Sequence, residues 1–259
     1  MLLQEALTLF IFYTLFGCSL QDIKPKCSKC IFYGKEASIR EFPYFAALKG
    51  CGAAILSDTW LVTAAHCVEN PRMNPGNKVW VGGESISNSQ EITFKRTVIH
   101  PQYRTLQQIP INDIALLELT NKLNFTDKIK PIRLGVSRGS KVVFVGKGLD
   151  ETGRESKSIK KLELTRLTTK QCLSEIPLNM QRIVLPYIKE LEKVNICARR
   201  TEDQPGICMG DSGSPLTQNN QLIGLASYVG NKDCRKTRLN FFTNVPTYTS
   251  WIKSVTKLK

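Results

Sequence analysis

Gly206-Ile207-Cys208-Met209-Gly210-Asp211-Ser212-Gly213-Ser214-Pro215-Leu216 sets one serine between two glycines, behind a carboxylate and ahead of a short apolar run. Glycines beside a serine leave backbone N–H groups open to a reacting carbonyl, as an oxyanion hole requires. Standing alone, the segment equally suits a Gly/Ser turn. Whether Ser212 is a nucleophile depends on finding a base and an orienting acid elsewhere in the chain.

Only two histidines are available as the base. His66 closes Leu61-Val62-Thr63-Ala64-Ala65-His66-Cys67, the end of an apolar strand, whereas His100 lies in Ile99-His100-Pro101-Gln102-Tyr103, where proline predicts a turn. Asp113, in Asn112-Asp113-Ile114-Ala115-Leu116-Leu117, immediately precedes another apolar strand. Such an Asp can be a plain strand-end residue, or a buried carboxylate that fixes an imidazole in one tautomer. Residue type alone does not choose.

Together the three segments do. Thr63-Ala64-Ala65-His66-Cys67, Asn112-Asp113-Ile114-Ala115-Leu116 and Gly210-Asp211-Ser212-Gly213 have the order and spacing of the chymotrypsin/trypsin family of secreted serine proteases, which the chain resembles over most of its length. Ile31-Phe32-Tyr33-Gly34, Ala37, Phe42-Pro43, Gly52, His100-Pro101-Gln102-Tyr103, Ser227-Tyr228 and Trp251-Ile252 fall in the same register. The resemblance implies two six-stranded antiparallel β-barrels and a C-terminal helix. It casts Ser212 as nucleophile, His66 as base, Asp113 as its orienting acid, and the N–H groups of Gly210 and Ser212 as the oxyanion hole. It makes Ser227 a support for Asp113, and Gly206, Val229 and Asn240 the floor and walls of the primary pocket. A floor glycine in place of aspartate argues against cleavage after Lys or Arg, and Val229 narrows the slot, so small or medium apolar residues are expected there. The bridges implied are Cys51–Cys67, Cys172–Cys197 and Cys208–Cys234.

The sequence also departs from the family. In the family a freed N-terminus, here Ile31, pairs with the acid before the nucleophile, Asp211. Cys30 precedes Ile31 where Arg or Lys is usual, and Tyr33 replaces a glycine. Ser214 stands where a last glycine is usual, at a position where a Cβ can oppose the backbone geometry. Lys147 replaces a common tryptophan between Gly146 and Gly148. These departures leave room for the other reading, a catalytically weak homologue that binds or regulates.

The remaining sequence fits an all-β chain. Short runs at Phe45–Leu48, Ala53–Leu56, Trp60–Thr63, Lys78–Val81, Glu91–Ile99, Ile114–Leu119, Lys141–Val145, Lys160–Leu167, Leu222–Tyr228 and Asn240–Asn244 suit strands. Helix is expected at Pro186–Lys193 and from Thr247 to Lys257, where Tyr248, Trp251, Ile252 and Val255 recur on one face. Pro131–Ser140 would bridge the two halves.

The uncharged apolar run Ala6–Phe16 suits an export signal and is too short to span a membrane. Residues 1–19 are therefore read as signal, 20–30 as a short propeptide and 31–259 as the peptidase domain, in a secreted chain. Export makes disulfides possible; losing Cys18 turns nine cysteines into eight, and losing Glu5 takes the formal charge from +14 to +15. Cys27-Ser28-Lys29-Cys30 is the one short Cys pair, without a histidine near it, so a zinc or redox role is disfavoured. Lys and Arg are scattered from Lys24 to Lys259 without interleaved stacking aromatics, which argues against specific nucleic-acid binding and leaves loose affinity for anionic surfaces. No cofactor or metal is expected, since Gly83–Ile99 is too short for the calcium loop of trypsins. Protein substrates and serine protease inhibitors are the expected partners of a monomer, and Asn124-Phe125-Thr126 is a glycosylation sequon.

Overall fold

The computed structural model describes residues 34–149, 154–200, 206–230 and 238–258. After β1 (Lys35–Glu36) the chain builds β2 (Phe45–Leu48), β3 (Cys51–Ile55), β4 (Trp60–Thr63), β5 (Lys78–Val81) and β6 (Gln90–Ile99). A hairpin, β7 (Arg104–Leu106) and β8 (Ile109–Ile111), leads into β9 (Ala115–Leu119). Strands β2-β3-β4-β9-β6-β5 close into an antiparallel barrel.

The apolar runs of β2 and β4 are continuous because both faces are buried. Ala46, Leu48 and Leu61 fill the barrel interior, while the alternate residues Phe45, Ala47, Trp60 and Val62 face a second core. A strand shows successive side chains to opposite faces, so a one-residue slip would exchange the two sets.

The second half contains β10 (Arg133–Leu134), β11 (Lys141–Gly146), β12 (Lys160–Arg166), β13 (Asn195–Arg199), β14 (Pro215–Gln218), β15 (Gln221–Val229) and β16 (Leu239–Asn244). The order β12-β11-β14-β15-β16-β13 returns on itself through Thr165↔Arg199 and Arg166↔Ala198, giving the second six-stranded barrel. Phe144, Leu162, Leu216, Ile223 and Phe242 form its interior. Leu222, Leu225, Val245 and Ile252 from this half pack with Phe45, Val62 and Leu116 from the first.

Three features differ from the expectation. Pro131–Ser140 is not only a bridge, since β10 pairs in parallel with β15. Strands β13 and β14 went unread because each is short and lies beside Cys, Gly or Pro. The helical insertion is larger than Pro186–Lys193: α1 (Thr169–Glu175) and α2 (Leu178–Val184) precede α3 (Ile188–Val194). Helix α1 starts on a capping box between Thr168 and Gln171. Helix α2 leaves Leu178, Met180 and Ile183 exposed, so it has no buried apolar stripe to announce it. The last helix, α4 (Thr249–Thr256), follows a 3-10 turn at Val245–Tyr248 and ends at Lys257 in the left-handed conformation. No helix among the described residues is long and apolar enough to cross a membrane.

Candidate active site

His66 sits in a 3-10 turn, Ala65–Cys67, at the end of β4. The Cys51–Cys67 disulfide ties that turn to β3, and Thr63 Oγ1 donates to the Gly52 carbonyl at 2.7 Å. Asp113 lies in the corner between β8 and β9, 1 % exposed. Its Oδ2 is 2.7 Å from His66 Nδ1, and its Oδ1 accepts from the His66 backbone N–H at 3.0 Å. Two bonds to one carboxylate fix both the position and the rotation of the imidazole.

The second barrel secures this corner of the first. Ser227 Oγ on β15 donates to Asp113 Oδ2 at 2.5 Å, and Thr243 Oγ1 on β16 donates to the Asp113 carbonyl at 2.7 Å. Tyr248 OH donates to Asn112 Oδ1 at 2.8 Å. Asn112 has φ 55°, a left-handed conformation that Asn tolerates better than most residues. Ser227 was expected from the sequence; Thr243 and Tyr248 were not. Nothing local marks Thr243, whose partner lies 130 residues away.

Burial lowers the His66 pKa, but the Asp113 hydrogen bond and charge, helped by the charge of Glu69, outweigh it and leave the group above its ordinary value. This environment stabilises the imidazolium relative to that of an ordinary histidine.

Ser212 is held from both barrels. Gly52 N–H on β3 donates to the Ser212 carbonyl at 2.7 Å, and Gly213 N–H donates to the Ala226 carbonyl at 2.7 Å. Gly213 has φ 75°, and a Cβ there would lie 2.4 Å from the Gly52 carbonyl oxygen, so only glycine fits between the barrels. Gly210 also has positive φ, 90°. Among the described hydrogen bonds none joins Ser212 Oγ to His66; such bonds are often long before substrate binds. The structure thus gathers His66, Asp113 and Ser227 into one bonded chain and sets Ser212 on the adjoining loop.

Asp211 is fully buried. Its Oδ1 accepts from Gly148 N–H at 2.7 Å and its Oδ2 from Cys208 N–H at 3.0 Å. Burial pushes its carboxyl up to about 7, against these bonds, the Lys147 N–H and the charge of Lys160, all of which favour the carboxylate. Ile31, its expected partner, lies outside the described residues.

Gly206, Val229 and Asn240 come together. Asn240 is cross-strand partner of Val229, and its Oδ1 accepts from Ile207 N–H at 3.3 Å. A Cβ on Gly206 would stand 3.4 Å from Asn240 Nδ2, which places that amide against the glycine. Ser214 differs from expectation in kind. Its φ is not positive, so its Cβ meets no backbone conflict, but its buried hydroxyl has no hydrogen-bond partner and crowds Gly52.

The Cys172–Cys197 bridge joins α1 to β13 as the resemblance implied, and Cys208 is disulfide-bonded. Cys234, Cys27 and Cys30 lie outside the described residues. Cys51, His66 and Cys67 lie at metal-ligand spacing, but the disulfide has consumed both thiols, leaving one imidazole as the only ligand in that group.

A doubled antiparallel barrel carrying a His–Asp pair on one half and a glycine-flanked serine on the other defines a serine-peptidase architecture. The family model described as Trypsin matches residues 31–252, so the chain belongs to the trypsin family, the chymotrypsin-like serine proteases. It is 30 % identical to "Serine protease SP24D" of Anopheles gambiae, with 85 % of this chain and 79 % of that protein aligned. Against "Trypsin" of Sarcophaga bullata it is 27 % identical, covering 95 % and 96 %. Among solved structures it resembles mouse neuropsin, a serine protease, with TM-score 0.70 and 25 % identity over 86 % of this chain and 99 % of that one.

Proposed function

We propose that the chain is a secreted serine endopeptidase that cleaves after small or medium apolar residues. The observation that carries the reading is the Asp113 carboxylate, which grips His66 at two atoms and is itself held by Ser227 from the other barrel. In the mechanism, His66 Nε2 takes the Ser212 proton as Oγ attacks the scissile carbonyl, then gives it to the leaving amine. Water repeats the sequence on the acyl-enzyme. Asp113 holds the tautomer with the proton on Nδ1 and stabilises the imidazolium. The N–H groups of Gly210 and Ser212 receive the oxyanion; losing one such donor costs about 3–4 kcal/mol of transition-state stabilisation.

The apolar preference rests on the pocket residues. Gly206 offers no carboxylate to a Lys or Arg, and the Asn240 amide beside it is neutral and already engaged with Ile207. Without a buried anion, a bound cation would lose its hydration uncompensated. A peptide-library digest tests this: cleavage should concentrate after Ala, Val, Leu or similar residues, and cleavage mainly after Lys or Arg would overturn it.

The apolar Ala6–Phe16 run and the disulfides Cys51–Cys67 and Cys172–Cys197, which oxidising compartments favour, support the secreted reading. The formal charge of +14 gives the surface a general affinity for anionic partners that salt should screen. The second reading, a weak homologue that binds or regulates, draws on the Cys30–Ile31 junction, the pocket narrowed by Val229 and the unpartnered Ser214 hydroxyl.

A further inference from the structure

The helical segment between β12 and β13 carries apolar surface that the fold does not use. Val184, Leu191 and Val194 turn inward and anchor it in the core between the barrels. Leu178, Met180 and Ile183 on α2, with Leu185 and Tyr187 in the 3-10 turn Leu185–Tyr187, face solvent instead. They are five of the nine exposed large hydrophobic side chains among the described residues, gathered into ten consecutive positions. A single exposed leucine needs no explanation, but such a cluster marks a surface that meets something apolar.

The charge around the cluster narrows what that is. From Ile176 to Lys189 the chain holds Arg182 and Lys189 and no Asp or Glu. Both cations are exposed, and neither takes part in a described ion pair. Leu178 and Arg182 stand four residues apart on α2, so an apolar and a cationic side chain share one face. The acids that flank the segment are offset: Glu175 pairs with Arg199 at 3.1 Å, Glu190 pairs with Arg104 at 2.5 Å, and Glu192 adjoins Lys193. The formal charge of +14 acts at longer range in the same sense.

Shape narrows it further. Leu178 is 77 % exposed, so it stands clear of the surface rather than lining a groove. A deformable surface receives such a projection without a matching pocket, and leucine and tyrosine beside lysine and arginine are side chains that settle at the boundary between headgroups and acyl chains. At a rise of about 1.5 Å per residue α2 reaches only about 10 Å, enough to lie in that boundary and far too short to cross a bilayer.

We propose that the exposed face of Leu178–Tyr187 docks the protein on an anionic phospholipid bilayer, with Leu178, Met180, Ile183 and Leu185 entering the interface while Arg182 and Lys189 meet the headgroups. This inference rests on the general affinity for anionic partners proposed above, to which it gives a place and a partner, and stands apart from the peptidase reading.

The test uses protein recovered from the medium of expressing cells and shown by mass to lack Ala6–Phe16, sedimented at physiological salt with vesicles of phosphatidylcholine alone or with about 30 % phosphatidylserine. Binding should be at least about tenfold stronger to the anionic vesicles. Leu178→Asp with Ile183→Asp should weaken it at least about tenfold, and Arg182→Gln with Lys189→Gln about as much. Lys128→Gln with Lys141→Gln removes the same charge outside the segment and should weaken it less than about threefold. Thermal unfolding of each variant shows that it is folded. Undiminished binding by the aspartate variant, or equal losses from the two charge-removing pairs, leaves only the general affinity and overturns the inference. Protein that binds neither vesicle even at low salt overturns that affinity as well. A dimer that does not bind vesicles and that Leu178→Asp with Ile183→Asp dissociates assigns the face to a second copy, and equally overturns it.

Discussion

The Asp113 carboxylate connects the two barrels through a few hydrogen bonds, and single substitutions there should separate chemistry from stability. Asp113→Asn preserves shape but can no longer stabilise the imidazolium, and kcat/KM for a peptide substrate should fall roughly 10⁴-fold, the scale of this change in Ser-His-Asp triads. The raised His66 pKa gives a second expectation. The base works when neutral, so activity is lost as pH falls through its pKa, and the acid limb of kcat/KM should have its midpoint above about 6.5. A midpoint at or below that value would mean that burial outweighs Asp113. At Ser214 the prediction concerns stability: Ser214→Ala removes a buried hydroxyl with no partner and should raise unfolding free energy by about 1 kcal/mol in a urea titration. His66, Asp113 and Ser212 were legible in the sequence because each stands in a short segment of its own. Thr243 and Tyr248 were not, because their partners lie far along the chain.

At the scale of elements, the runs that read clearly as strands are those buried on both faces or alternating strictly, such as β2, β4 and β12. The helical segment between β12 and β13 read poorly because α1 and α2 each have seven residues, too few to show a period, and much of the apolar surface of α2 faces solvent. The Cys172–Cys197 bridge, with Ile176 packed beside Phe241 and Leu239, holds α1, while Val184, Leu191 and Val194 anchor α2 and α3 in the core between the barrels. The bridge spans a sequence separation of 25, and replacing both cysteines by alanine should lower stability by about 3 kcal/mol. Because the bridge touches neither the His66 turn nor the Ser212 loop, the labelling rate of Ser212 in the folded variant should change by less than about threefold. A larger loss, measured by the same probe, would show that the insertion supports the reacting groups directly.

The whole molecule works as a joint between two closed barrels. Neither half alone contains the candidate site: His66 and Asp113 belong to the first, and Ser212, Ser227 and Thr243 to the second. Gly52 and Gly213 allow the backbones to meet where a side chain would keep them apart. The doubled barrel was foreseeable from three spaced motifs, but the way the second barrel grips the Asn112–Asp113 corner emerges only from the packed pair. The central claim, that this joint makes Ser212 a nucleophile, is tested most directly by reacting chain with a free Ile31 N-terminus with a fluorophosphonate and mapping the modified peptide by mass spectrometry. The expected result is one phosphonyl group on Ser212, absent in Ser212→Ala and formed far more slowly in Asp113→Asn. Folded protein that carries no phosphonyl group, or carries it on another residue, would contradict the account.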